Sequence, residues 1–252
     1  MDQSIAFYVV AVVAILLTGV SKSGFGGGLG VMAVPLMSLF VTPQFAAAVM
    51  MPILLAMDFL IVWRYRATWD SRIILSLLPA AFVGLVLGSL SFHYMDANAV
   101  RFLVGLLAAF FVLQFMASRR AELSQQRMPK PVIFAIGALS GFASFIADAG
   151  GPPVKGYLLR QQREKSWFVG TNTFFFFALN FLKTIAYGVF GTLSVESLQI
   201  SALLSPMLLL GVFLGFRLHT ILDQRVFVKV VYGFLALTAV KLLYDSTTSF
   251  LL

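Results

Sequence analysis

Ser21-Lys-Ser-Gly-Phe-Gly-Gly-Gly-Leu-Gly30 interrupts an otherwise apolar stretch, and Ala147-Asp-Ala-Gly-Gly-Pro-Pro153 does the same in the second half of the chain. Neither can be ordinary helix interior, because glycine is costly there and consecutive prolines remove backbone donors. The runs around them recur along the whole length, each about long enough to cross a hydrocarbon core of about 30 Å at about 1.5 Å per residue. With 60% hydrophobic and 11% charged residues, the chain has too few polar side chains to solvate a surface in water. Lipid is the expected solvent, and the expected fold class is an all-α integral membrane protein.

Other classes drop out. The run over 5–20 has no basic residues before it and leads into more membrane sequence, so it is expected to remain in the mature protein. Cysteine is absent, which excludes disulfides, thiol catalysis and iron–sulfur clusters. The net charge of +8 sits in short loops between apolar runs, where it sets orientation and meets anionic headgroups; no nucleic-acid partner is expected. No H-E-x-x-H, G-x-S-x-G or Walker element is present, so the expectation is no enzyme, no cofactor and no metal.

Hydropathy places apolar segments near 5–22, 24–40, 43–63, 73–92 and 99–118, and again near 132–147, 152–159, 166–190, 198–216 and 226–244. Shifting the sequence by about 122 residues sets Thr18-Gly19 on Ser140-Gly141, Gly28 on Gly150, and Met57-Asp58-Phe59 on Leu179-Asn180-Phe181. Beyond a five-residue insertion, Pro79, Gly84, Gly88 and Asp96 fall on Pro206, Gly211, Gly215 and Asp223. One membrane domain over 1–252 is expected, with a repeat over about 1–120, a cytoplasmic linker over about 119–131 and a second repeat over about 132–252. Each repeat would hold a Gly-rich broken or re-entrant pair of short helices followed by three transmembrane helices.

Charge gives the orientation. Arg64, Arg66 and Arg72 follow the third segment of the first half, whereas the counterpart loop over 193–197 has Glu196 and no Lys or Arg. The repeats are therefore expected to be inverted. Placing that first loop in the cytoplasm also places the linker's Arg119, Arg120, Arg127 and Lys130 there. Arg160, Arg163 and Lys165 join them, as do Arg217, Arg225 and Lys229, while Arg101 and Lys241 fall outside. Both termini would be extracytoplasmic.

Lys22, Lys155, Lys183, Asp58 and Asp148 remain at or near membrane depth, where an ionisable group costs at least about 2.5–3.5 kcal/mol and must face a cavity or a partner. Lys22 and Ser23 precede Gly26, Gly27 and Gly28, which let backbone N–H groups approach an anion; the half-helix that follows would point its positive end there. The second break offers Ser144, Asp148, Gly150 and Gly151, with Lys155 a helical turn further on. Asn172, Asn180 and Lys183 share a face of one helix, and Thr173 adjoins it. For Asp58, and for Asp148 as a possible proton carrier, the sequence leaves open proton transfer or pairing with a buried lysine. The Gly84/Gly88 and Gly211/Gly215 pairs are expected to pack helices, His93 and His219 to lie at the interface, and Phe174 to Phe177 to meet lipid and core.

The break Gly24-Phe-Gly-Gly-Gly-Leu-Gly30 leading to Pro35-Leu36, repeated in weaker form after Gly141, resembles the sulfite exporter TauE/SafE family of inner-membrane permeases. The second break departs from the family's usual Gly-Gly-Gly, with Ala149-Gly150-Gly151-Pro152-Pro153 in its place. The resemblance covers nearly the whole chain and implies a multi-pass protein of the bacterial inner membrane. It further implies transport, commonly export, of a small anion such as sulfite, sulfoacetate or a taurine-related sulfonate; with two breaks meeting in inverted halves, a secondary transporter working by alternating access is expected. The expected partners are that anion and the lipid bilayer, with a homodimer left open. An anion channel and a membrane scaffold subunit without substrate are the alternatives.

Overall fold

The computed structural model describes residues 3–27, 30–118, 128–218 and 224–251. Every regular element among them is helical. Helix α1 (Ile5–Phe25) starts at Ser4, whose hydroxyl accepts from the Phe7 N–H at 3.2 Å. A 3₁₀ turn over Gly30–Met32 leads into α2 (Ala33–Met37), only five residues long. Thr42 caps α3 (Pro43–Tyr65), with Pro43 in the first turn where no donor is needed. The Asp70 carboxylate caps α4 (Ser71–Tyr94) by accepting from the N–H groups of Arg72 and Ile73. Then come α5 (Ala97–Ser118), α6 (Lys130–Ala147), α7 (Gly151–Leu159), α8 (Lys165–Val189), α9 (Val195–Leu218) and α10 (Gln224–Leu251). Pro152 and Pro153 occupy the first turn of α7, so the consecutive prolines start a helix rather than end one.

Among the described residues, six helices are long and apolar enough to cross a membrane: α1, α3, α4, α5, α6 and α9. Helix α8 is as long but carries Asn172, Asn180 and Lys183, which dilute its apolar character. The protein is a multi-pass membrane protein. One expectation needs correction: the first limb of each break is not short. Helix α1 has 21 residues and α6 has 18, so each is a full span by length, and only the returning limbs α2 and α7 are stubs. The break lies at the inner end of a long helix because the glycine and αL residues come after its last turn, not in its middle.

Small residues set the packing, as expected where lipid supplies no hydrophobic drive between helices. Helix α1 runs parallel to α9, with Gly19 on Gly211 and Gly24 on Gly215; a Cβ on Gly19 would stand 2.8 Å from the Gly211 carbonyl carbon. Helix α4 runs parallel to α6 more tightly still, for a Cβ on Gly84 or Gly141 would overlap the carbonyl oxygen of Ala138 or Ala81. The glycine pairs singled out in the sequence are thus the contact faces. Helix α3 crosses α8 antiparallel, and Phe115 of α5 stacks on Tyr232 of α10 at 4.1 Å. Leu75, Leu113, Leu203 and Leu237 project from the bundle where lipid would lie.

Two ends emerge. At one, Arg64 lies 5.3 Å over the Phe216 ring and the Asp70 N–H donates to the Thr171 hydroxyl at 3.1 Å, which gathers the loops expected to be cytoplasmic. At the other, Thr42, Gln44, His93, Thr192 and Ser194 come together around a cavity of about 330 Å³. His93 is exposed there, whereas His219, Asp223 and linker residues 119–127 lie outside the described residues.

Candidate functional site

Both long helices of the breaks end in the same way. Helix α1 closes on Gly26 (φ 70°), with the Gly26 and Gly27 N–H groups both donating to the Ser21 carbonyl. Helix α6 closes on Asp148 (φ 53°), and the N–H groups of Asp148 and Ala149 donate to the Ala143 carbonyl. The left-handed turn suits glycine at the first position; at the second it is imposed on an aspartate, a conformation that costs non-glycine residues about 1–2 kcal/mol. It aims the Asp148 carboxylate back into the bundle.

Two ion pairs meet at these turns. The Lys22 ammonium donates to the Asp58 carboxylate at 2.6 Å, and the other oxygen of Asp58 accepts from the Asn180 amide at 2.6 Å. The Lys183 ammonium pairs with Asp148 and donates to the Ser144 carbonyl at 3.0 Å, with the Tyr187 ring 5.6 Å away. Asp58 is therefore the charge partner of a lysine, one of the two roles the sequence allowed. Burial separates the cations: the Lys183 side chain is fully enclosed, whereas Lys22 keeps 13% exposure. The charge on Lys183 is absorbed by a carboxylate and by the Ser144 carbonyl, which also accepts from the Asp148 N–H; Lys22 still faces open space.

That space is a cavity of about 30 Å³, room for about two waters. Lys22, Gly27, Ser144, Asp148 and Gly151 from the two breaks line it, together with Asp58, Asn172 and Asn180. Asn172 holds its place by donating to the Gly26 carbonyl at 2.7 Å, which leaves its amide oxygen, like one oxygen of Asp148, buried without a partner. The cavity thus offers one accessible cation beside unsatisfied acceptors.

The other expected residues are placed elsewhere. Ser23 donates to the Gly19 and Val212 carbonyls inside the α1–α9 joint. Gly26 turns its α-carbon toward Phe168, and the Gly150 carbonyl accepts from Ser140 at 2.7 Å. Lys183 stands behind Asp148, and Lys155 lines a separate cavity. Gly28 lies outside the described residues. Gly30 of the first break also lines the central cavity, and so do Val31, Leu54 and Phe176, none of which was expected there. Helical spacing could have found two of them: Leu54 is one turn before Asp58, and Phe176 one turn after Asn172. The phenylalanine run divides its faces, since Phe174 stacks on Trp69 at 4.4 Å while Phe176 reaches the cavity. Among the described residues no group of three or more His, Asp or Glu side chains could hold a metal.

Comparison with curated proteins and with solved structures returns no match. The profile of the family described as Sulfite exporter TauE/SafE matches residues 11–242, a span that takes in both breaks and every residue lining the central cavity. The chain belongs to the sulfite exporter TauE/SafE family.

Proposed function

We propose that the protein exports a small sulfur oxyanion or sulfonate across the bacterial inner membrane as a secondary carrier, with both termini extracytoplasmic. Membership of a membrane anion-transporter family supplies the class. The observation that carries the reading is Lys22: a partly exposed ammonium at membrane depth, in a cavity floored by glycine backbone, already neutralised by a carboxylate that a substrate anion could replace.

Alternating access between two inverted halves of one membrane domain is supported by how the helices pair. Under the sequence offset α1 corresponds to α6 and α4 to α9, and the tight joints are α1 with α9 and α4 with α6, the same joint made twice. Residues 58 and 180, equated by that offset, touch each other. A pseudo-two-fold axis between α3 and α8 accounts for both facts. The cavity is too small for a four-atom oxyanion plus its contacts, which favours a carrier that reshapes around its substrate over an open channel. When an anion claims Lys22, Asp58 loses its cation, and an isolated carboxylate at that depth is the group placed to exchange a proton with the passing charge.

Flux of sulfite and sulfoacetate into proteoliposomes tests this. Lys22→Ala is expected to abolish flux while the purified protein keeps its elution profile; undiminished flux would remove the lysine from the site. Asp58→Asn should keep flux but lose its response to an imposed pH gradient, and an unaltered response would exclude Asp58 as the carrier of the proton.

A further inference from the structure

A second cavity, about 320 Å³, opens at the end of the bundle that gathers Arg64 and Arg163. Its walls are Phe25, Leu158, Leu159, Phe168 and Val169, and its polar groups are Lys155, Arg163 and Lys165. No carboxylate lines it, and among the described residues the Lys155 ammonium makes neither a hydrogen bond nor an ion pair. Arg163 and Lys165 are exposed, whereas Lys155 is half-buried on α7, held inside the cavity rather than free to reach past it. The cavity at the opposite end, lined by Thr42, Gln44, Ser89, His93, Thr192 and Ser194, has neither Lys nor Arg.

Helix α8 joins this basic cavity to the central one. Phe168, Asn172, Phe176 and Asn180 recur every four residues and so lie along one face. Phe168 lines the basic cavity, and the other three line the central one. The partition between them is thin. A Cβ on Gly26 would meet the Phe168 ring at 2.6 Å, whereas one on the next residue, Gly27, would meet the Asn172 amide at 3.1 Å. Phe25 and Phe168 stand between the two chambers.

We infer that the Lys155–Arg163–Lys165 cavity is a separate binding site for a small oxyanion, a vestibule in which the substrate is held before it passes Phe25 and Phe168 to Lys22. The inference deepens the proposed function and rests on it for the identity of the anion. Three cations around one apolar-walled cavity without a counter-charge raise the local anion concentration, and an unpaired, half-buried ammonium supplies the specific contact. The volume admits an oxyanion that the central cavity, as it stands, does not.

Equilibrium binding of radiolabelled sulfite to the full-length protein in nonionic detergent separates the two sites. Lys22→Ala is expected to retain one site. Adding Lys155→Gln and Arg163→Gln should weaken that site by about tenfold or more, the worth of a charge-assisted hydrogen bond, and Lys155→Arg should restore it if folding is intact. Loss of all binding in Lys22→Ala alone would overturn the inference, as would binding unchanged by the Lys155 and Arg163 substitutions. So would Lys155-dependent binding of phosphatidylglycerol with none of sulfite, because the cations would then serve lipid headgroups. Lys155-dependent sulfite binding without any sulfite flux in proteoliposomes would instead refute the transport reading and leave the site standing.

Discussion

At the first break the helix ends on Gly26, and the charged group is a cation, Lys22, one turn inside α1 and paired across to Asp58 on α3. At the second the helix ends on Asp148 itself, and its partner is Lys183, deep on α8. The backbone solution is shared and the charge is reversed. One pair lines the cavity with both its lysine and its carboxylate; the other turns its lysine into a helix end and shows the cavity only a carboxylate. Under the proposed function, the first ion pair is the one a substrate anion exchanges with and the second holds the turn.

Breaking the enclosed pair should therefore cost more stability than breaking the accessible one. Lys183→Met leaves the Asp148 carboxylate, one oxygen of which is already buried without a partner, with no counter-ion, a change worth about 3–5 kcal/mol. Lys22→Met leaves Asp58 with the Asn180 amide and with access to the cavity, and should cost clearly less. Unfolding titrated with SDS in mixed micelles measures both. Equal losses would erase the distinction, and Lys183→Met combined with Asp148→Asn should recover part of the deficit.

The two helix joints differ in the same sense. Gly84 and Gly211 are equated by the offset, yet a Cβ on Gly84 would collide with the Ala138 carbonyl, whereas one on Gly211 would stand 3.1 Å from the Leu16 carbonyl oxygen, a tight contact that a small shift relieves. Gly84→Ala should cost about 1–3 kcal/mol, because overpacked backbones must separate, and Gly211→Ala should fall well short of it by the same assay. The reverse order would show that the α1–α9 joint is the stiffer of the two.

Much of this was legible in the sequence, for reasons that can be traced. The helices were marked by apolar runs punctuated by glycine, proline and charge, signals that act within a few residues. The central residues were marked because a charge or glycine run at membrane depth has few explanations. What escaped was tertiary. Nothing in the local sequence says that Asp58 faces Lys22 rather than Lys183, or that Lys155 opens into a chamber of its own. The 24–40 segment was read as one limb although its glycines leave helix only at Ala33–Met37, because hydropathy does not register glycine's backbone freedom. Ser23 was taken for a ligand contact because it adjoins Lys22, but neighbours on a helix point about 100° apart.

The cap positions offer a finer contrast. Gly26→Ala must hold a side chain at φ 70° against the Phe168 ring, and the left-handed turn alone costs about 1–2 kcal/mol. Gly26→Asn should cost less for the backbone, since asparagine tolerates that region. A lower Tm for Gly26→Asn than for Gly26→Ala would mean that contact with Phe168, not the turn, makes glycine necessary at the first break.

Ser23 gives the smallest effect and the sharpest separation of roles. Its offset counterpart is Phe145: Ser23 fills the gap over Gly215 in one joint as Phe145 fills the gap over Gly88 in the other. The Ser23 hydroxyl donates to two carbonyls and leaves no buried acceptor dependent on it alone, since the Gly19 carbonyl lies in a helix and the Val212 carbonyl has its own ladder. Ser23→Ala should thus lose about 1 kcal/mol, the net worth of an intramolecular hydrogen bond, and transport sulfite with unchanged half-saturation. A fall in flux approaching that of Lys22→Ala would place the hydroxyl on the substrate path and turn a packing joint into part of the site.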